Sequence, residues 1–390
     1  MLSRCAQPNL QLCFKVSVLA TRRVTSKRAS QSRSPSCLMT TNRTARKPAR
    51  LVVVGDVHNH WSERDALALK FLEPDVALFV GDFGEEVVQL VEAIKTQINA
   101  CSIPAAYILG NHDAWYSLSK KLSGHDDPLL SGVQRQLRAL GNDHVGYSSK
   151  HFPDIGLSVV GARPFSAGGA SWARAARFQH IMYGINNMKE SADKICATIR
   201  DQPAQDAVVV LAHNGPSGFG SQQHDICGKD WSDKAGDHGD PDLASALEDA
   251  SASGRPVPLV VFGHMHHMLK GGRRSRNMVH IEADSRTVLL NCAVVPRWGT
   301  DPIAPNNPNA CTSQFTVIEM AIGGYVQSAS YVWVGTHGSQ CCVVSEQKII
   351  RTQSCTHNRL VRQFLVTGNI SGVGNDKLYW ETVVSVLPSS

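Results

Sequence analysis

No acidic residue occurs in the first fifty positions; the first carboxylate of the 390-residue chain is Asp56. The same stretch holds eleven Lys and Arg and twelve Ser and Thr. An Arg- and Ser-rich, acid-free segment has the make-up of an organelle transit peptide, so residues 1–50 are expected to be a disordered leader; a basic arm for nucleic acid or membrane is the competing reading. Setting it aside reverses the charge. Of 39 Lys and Arg, 28 remain against 33 Asp and Glu, about −5 instead of +6. The negative body disfavours a broad nucleic-acid surface, and aromatic residues, at 6%, offer few stacking platforms for single strands.

Eleven cysteines are present, three of them in the leader, but none form a C-x-x-C pair. That excludes a zinc-finger pattern and a disulfide framework, and leaves buried free thiols. Long apolar runs are missing too. The stretch from Leu10 to Ala20 is short and broken by Lys15, which fits neither a secretory signal nor a membrane span.

What the chain does have is five short apolar runs, each ending in a residue able to bind a metal. Leu51 to Val54 leads into Gly55-Asp56-Val57-His58, and Val76 to Val80 into Gly81-Asp82. Ala106 to Leu109 leads into Gly110-Asn111-His112-Asp113, Val208 to Leu211 into Ala212-His213, and Leu259 to Phe262 into Gly263-His264-Met265-His266. Such runs read as buried strands, and ligands of α/β sheets sit beyond the carboxyl ends of strands. Asp56 with His58, and His264 with His266, are two apart, so on extended backbone each pair points to one side. Glycines before the ligand positions permit close backbone approach.

Residues 51–335 read as one α/β domain. Helices are expected at about Ser62–Leu72, Glu85–Ala100, Gly132–Leu140, Asn187–Arg200 and Asp242–Ala250, with late strands at Val288–Cys292, Phe315–Met320 and Tyr325–Val334. Gly323-Gly324 signals a hairpin between the last two. Ala162–Gly184 and Asn214–Pro241 look irregular; the second, directly after His213, is placed as a lid or specificity loop. Residues 336–390 lose the alternation and are expected to be an appended, poorly ordered tail.

Carboxylate, imidazole and carboxamide donors without thiolates suit Mn, Zn or Fe. They are too many for one tetrahedral ion and enough for two ions about 3.5–4 Å apart. Asp56-x-His58, Gly81-Asp82, Gly110-Asn111-His112-Asp113, His213 and Gly263-His264-x-His266 together resemble the signature of calcineurin-like metallophosphoesterases, in family order over roughly residues 51 to 270. The segment with Cys227-Gly228-Lys229-Asp230-Trp231 and Gly239-Asp240-Pro241-Asp242-Leu243 is similar to a cyanobacterial and plastid branch, which turns the expected location toward the chloroplast, with the mitochondrion as the alternative.

The resemblance implies a four-layer α/β/β/α sandwich and a hydrolase of small phosphorylated substrates, mono- or diester. It assigns Asp56, His58 and His266 to one ion and Asn111, His213 and His264 to the other, with Asp82 bridging and a bridging hydroxide attacking phosphorus in line. It makes His112 the general acid or charge stabiliser at the leaving oxygen, with Asp113 orienting its ring. Arg163 is a candidate clamp for a phosphate oxygen, with a loop salt bridge as its alternative. His60, His224, His238 and His267 are off the family spacing and are expected to be solvated loop residues. The cluster Lys270 to Arg276 is read first as a charged turn, with a site that attracts polyphosphate or nucleic acid as the alternative. A non-catalytic scaffold that keeps the metal fold and a nuclease are the alternative functions; the complete ligand set argues against the first, the body charge against the second.

Overall fold

Leu51, Val52, Val53 and Val54 are all fully buried, because both faces of their strand are covered. Leu51 and Val53 pack into one apolar cluster and Val52 and Val54 into another, as the two-residue repeat of a strand requires. This strand, β1 (Ala49–Val54), opens a computed structural model that describes residues 48–118, 121–232, 234, 236–300, 310–354, 362–370 and 378–386. Residues 1–47, and with them nearly all of the expected leader, lie outside the described residues.

After β1 come α1 (Glu63–Phe71), β2 (Val76–Phe79), α2 (Val88–Ala100) and β3 (Ala105–Tyr107), with β1, β2 and β3 paired in parallel. Ser62 caps α1: its backbone N–H donates to Asp65 Oδ2 at 2.9 Å, half of a reciprocal capping arrangement. α3 (Ser131–Leu140) follows and packs on α2. A second sheet is then built from β4 (Ser149–Phe152), β5 (Leu157–Gly161), β6 (Ala207–Leu211), β7 (Leu259–Phe262), β8 (Val279–Ile281) and β9 (Val288–Asn291), in the order β4-β5-β6-β7-β9-β8. Between its strands lie α4 (Trp172–Tyr183), α5 (Met188–Arg200) and α6 (Pro241–Ala252). The chain returns to the first sheet with β10 (Trp298–Thr300), β11 (Ala310–Met320), β12 (Val326–His337), β13 (Gln340–Ser354), β14 (Arg362–Ile370) and β15 (Leu378–Val386). That sheet runs β15-β14-β13-β12-β11-β1-β2-β3, with β10 on β11.

Three apolar clusters correspond to the three interfaces of the expected four-layer sandwich. Leu51, Val53 and Leu78 of the first sheet meet Val209, Leu211 and Val261 of the second. Val52, Val54 and Phe79 pack under Val91 and Ile94 of α2 and Val133 of α3. Val208, Val210 and Val260 pack under Ile195 and Ile199 of α5 and Leu243 and Ala246 of α6. The α/β/β/α arrangement is thus present.

Two segments hold more regular structure than their sequence announces. Among its described residues, the segment expected as an appended tail contains the end of β12 and three further strands, with β13 paired antiparallel to β12 from Gln340 to Arg351. Among residues 340–351 of β13 only Ile349 and Ile350 are buried, so this stretch has no apolar alternation to read; it is held by the backbone ladder along β12. Likewise α4 occupies much of the segment read as irregular. Only Ala175, Phe178 and Gln179 of it are buried, too little for a helical period to stand out. Its end is marked by Gly184 at φ 70°, a left-handed cap position that glycine fills without strain.

Candidate metal centre

The metal-capable residues all lie just beyond the carboxyl ends of β1, β2, β3, β6 and β7. Their donor atoms form three overlapping groups, Asp56–His58–His266, His58–Asp82–His112 and Asp82–His213–His264, each with its atoms within 4.8 Å of one another. Asp82 is shared. Its Oδ1 lies 3.3 Å from His213 Nε2, while its Oδ2 lies 3.9 Å from His58 Nε2 and 4.0 Å from His112 Nε2. On the Asp56 side, His58 Nε2 and His266 Nε2 face each other at 3.0 Å, and His266 Nε2 is 3.5 Å from Asp56 Oδ2.

The strands do not simply continue into these residues, as the two-apart spacing suggested. β1 ends at Val54 and β7 at Phe262, and the chain then turns through left-handed backbone at His58 (φ 44°), Asp82 (φ 51°) and His264 (φ 65°). Such positions cost a non-glycine residue of order 1–3 kcal/mol and gather at functional sites. The turn separates the β7 pair, sending His264 to the Asp82–His213 group and His266 to the Asp56 group. Asp56 also accepts from the backbone N–H of His264, at 3.0 Å to Oδ2, which ties the two turns together. Glycine is required where the turns touch. A Cβ on Gly110 would lie 2.3 Å from Asp82 Oδ1 and 2.5 Å from the His213 ring; one on Gly263 would lie 2.1 Å from Asp56 Oδ1.

Whether the set fits a cation is decided around His213. Its Nδ1 lies 2.7 Å from the carbonyl oxygen of Val80, which can only accept, so Nδ1 carries the proton and donates. Nε2 is then a bare lone pair. It faces Asn111 Oδ1 at 3.0 Å, and Asp82 Oδ1 at 3.3 Å. Three acceptors converge with no donor among them unless a cation enters. In the metal-free protein a proton serves: burial would lower the His213 pKa, but the Asp82 carboxylate lifts it to about 9. For Asp82, burial raises the pKa, but His213, His112 and His58 outweigh it and hold the carboxyl far below its usual range. His264 is driven the other way by burial and by His213, and so is a neutral donor. The residues fit metal ions.

This predicts a pH signature of the metal-free protein. His213, at about 9, is raised above its unfolded value of 6.5, so its contribution is complete below pH 6.5 and lost as pH rises through 9. Asp113, raised to about 8 by burial and by Asp82, and His266, raised by Asp56 against its burial, act in the same direction. Chelator-treated protein should therefore melt progressively lower between pH 6.5 and 9, losing about 3 kcal/mol from His213 alone. Melting curves that rise over that window would contradict the His213–Asp82 pairing.

His112 and Asp113 do not form the expected relay. Asp113 Oδ1 accepts from the backbone N–H of Phe83 at 2.8 Å, and Oδ2 from that of Gly110 at 2.8 Å. It fastens the turn after β3 to the turn after β2, and both oxygens are engaged with backbone. The His112 Nδ1 is buried without a hydrogen-bond partner. What holds the ring is Trp115, stacked on it at 4.4 Å and 20°, while the His112 backbone N–H donates to Asp82 Oδ1 at 2.8 Å.

Residues 49–268 match the calcineurin-like phosphoesterase family. The chain belongs to the calcineurin-like phosphoesterases. It is therefore a metal-dependent hydrolase of phosphoester bonds, from a family that works with two metal ions. No curated protein matches the chain. Among solved structures it is similar to a dimetal phosphatase from Danio rerio, at 11% identity and TM-score 0.41, over 77% of this chain and 99% of that one. It is also similar to a phosphopantetheinyl hydrolase from Mycobacterium tuberculosis, at 13% identity and TM-score 0.35, over 64% and 89% of the two chains. Likeness at these scores adds nothing to the family match. Among the described residues, no helix is long and apolar enough to cross a membrane.

Around the phosphoesterase centre, Arg163 is not the expected phosphate clamp. It is 2% exposed, with Nε 2.8 Å from Asp242 Oδ2 and Nη2 2.6 Å from Asp240 Oδ1. It joins the turn after β5 to the start of α6. Arg163→Met would leave two buried carboxylates without their cation and should destabilise the enzyme by about 3–5 kcal/mol. A denaturation midpoint close to that of the parent would show the pair to be dispensable.

Of the four histidines expected in solvent, His60 and His224 are exposed. His267 is not; its Nδ1 lies 3.2 Å from the Val295 backbone N–H, which donates to it. His238 is 7% exposed and stacks on the His264 ring at 5.7 Å and 17°. Burial, with Lys229 and Arg174 nearby, lowers its pKa. No spacing rule reaches His238, which sits inside a long loop and becomes adjacent to the centre only through folding. That loop is anchored by Arg276, read from sequence as part of a charged turn. The guanidinium Nη1 is held by the carbonyl oxygens of Gln223, Asp225 and Gly228 at 3.0, 2.8 and 2.6 Å.

Proposed function

We propose that this phosphoesterase is binuclear and hydrolyses a small organic phosphate by in-line displacement. One ion would be held by Asp56, His58 and His266, the other by Asn111, His213 and His264, with Asp82 serving both. The observation that carries this reading is the Asp82 carboxylate, whose two oxygens face two different donor groups. When bound, such ions polarise the phosphoryl oxygens and lower the pKa of water. The chain's own residues do the rest. The Val80 carbonyl fixes the His213 tautomer and leaves Nε2 as the donor. Trp115 fixes the plane of His112. Its Nδ1 is buried and lacks a partner, so Nε2, the nitrogen facing the centre, is the one that can meet a leaving group. As the imidazolium it would pass the Nε2 proton to the oxygen of the leaving group and return to the neutral ring.

The test is turnover of aryl phosphate mono- and diesters by purified protein reconstituted with Mn, Zn or Fe. Metal-dependent hydrolysis of either class is expected, and none with any of the three would overturn the reading. A further part of the proposal is address: the acid-free, Arg- and Ser-rich leader supports import into a plastid. Residues 1–50 fused to a fluorescent reporter should carry it there, and a reporter left in the cytosol would refute it.

A further inference from the structure

A cavity of about 670 Å³ opens beside the metal donors, within the range of pockets that enclose small organic ligands. Asn111, His264 and His266 form the wall next to the centre. Arg174 of α4, Lys229 of the loop before α6 and Lys270, beyond β7, line the same cavity. Two further charges in its wall cancel. Arg276 Nη2 lies 3.4 Å from Asp230 Oδ2, which also accepts from the Lys270 backbone N–H at 2.8 Å. Arg174, Lys229 and Lys270 have no such compensation: among the described residues, none of the three is in an ion pair. The hydrogen bond that Arg174 makes is a long one, 3.3 Å to Ser171 Oγ.

Three cations from three separate segments therefore converge on one cavity of a body whose net charge is negative. A cleft lined by one sign of charge concentrates anions of the opposite sign. None of the three belongs to the donor groups around Asp82, where the reacting phosphoryl group is held under the proposed function. They are placed for a different part of the substrate. Trp231, 46% exposed, walls the same cavity and rests against the edge of His238 at 4.6 Å and 87°, which provides an apolar surface for the organic skeleton between two charged ends.

We propose that Arg174, Lys229 and Lys270 bind a second anionic group of the substrate, so that the enzyme's substrates are small organic bisphosphates or phosphoesters with a comparable second dianion. This rests on the phosphoesterase reading and narrows it. The clustering of the cations inside a cavity, rather than in a stripe across the surface, separates this from a nucleic-acid site.

The experiment compares kcat/KM of the metal-loaded enzyme for matched pairs: fructose 6-phosphate against fructose 1,6-bisphosphate, and adenosine 5′-monophosphate against adenosine 3′,5′-bisphosphate. A preference of about thirtyfold or more for the bisphosphate is expected in at least one pair, in line with loss of one or two charge-assisted contacts in its partner. The pair that shows it says whether a sugar or a nucleoside joins the two groups. Arg174→Ala and Lys229→Ala should each reduce that ratio about tenfold, mainly through KM, with an unchanged melting temperature, since neither side chain is in an ion pair among the described residues. Lys189→Ala, at an exposed ion pair on α5, should leave the ratio where it was. Metal-dependent hydrolysis of an aryl phosphate together with equal rates within each pair, or a ratio unmoved by both variants, would overturn this inference and leave the phosphoesterase reading standing. No hydrolysis of any ester by metal-loaded protein would overturn that reading itself.

Discussion

Asp82→Ala is expected to abolish retention of both ions and to lower turnover of an aryl phosphate by about 10³-fold or more, since metal-supplied charge stabilisation amounts to several kcal/mol. The size of the effect follows from position. Asp82 sits at a left-handed turn after β2, almost fully buried, with Oδ1 toward His213 and Oδ2 toward His58 and His112. Removing the carboxylate leaves a set of imidazoles and one carboxamide on the His213 side, with no anion to offset a dication in a buried site. It also removes the acceptor of the His112 backbone N–H, so alanine alone would confound charge with geometry. Asp82→Asn separates them: its side-chain oxygen can still accept that hydrogen bond, but the charge is gone. Elemental analysis after desalting should find both variants depleted at both positions. Two ions per chain retained in Asp82→Ala would show that this carboxylate does not serve both groups.

The part of this site that was legible in the sequence is the part imposed by strands. An apolar run buried on both faces must end, and a glycine followed by a polar donor at five such ends marks one rim; Asp56, Asp82, Asn111, His213 and the β7 histidines all lie there. What residue spacing by itself could not supply, and only the family resemblance implied for the β7 pair, is direction beyond the strand end. The left-handed turn at His264 sends it and His266 to different groups, which two-residue spacing on extended backbone would not allow. Adjacency misled in the same way at Asp113. It follows His112 in sequence, yet its carboxylate turns away to the amides of Phe83 and Gly110. Arg163 has the chemistry of an anion clamp, but its partners Asp240 and Asp242 are nearly eighty positions away and were not visible as a pair. His238 and Arg276 share that difficulty, since loop residues acquire their neighbours only through tertiary structure. The same limit applied to β13, which is held by the backbone ladder along β12.

His112→Asn should give the opposite dissociation from Asp82: both ions retained, turnover reduced by about 10²–10⁴-fold, the usual contribution of a positioned proton donor. The argument for separating the two is geometric. His112 Nε2 is 4.0 Å from Asp82 Oδ2 and borders the centre on one side only, whereas Asp82 is shared by the groups on both sides. The leaving group provides a readout that a structural role would not move. A nitrophenolate leaves readily without a proton, while a simple alkoxide does not, so the variant should lose more activity on alkyl phosphates than on nitrophenyl phosphate. Trp115→Ala, which frees the ring from its stacking partner without removing the imidazole, should show the same ordering with a smaller loss. Equal losses on both ester types would remove His112 from the proton-transfer step and leave it as a neutral contact to the phosphate. Loss of metal from His112→Asn on the scale seen for Asp82→Ala would instead make it a ligand, consistent with its place in the His58–Asp82–His112 group, and would require the leaving-group proton to come from elsewhere in the cavity.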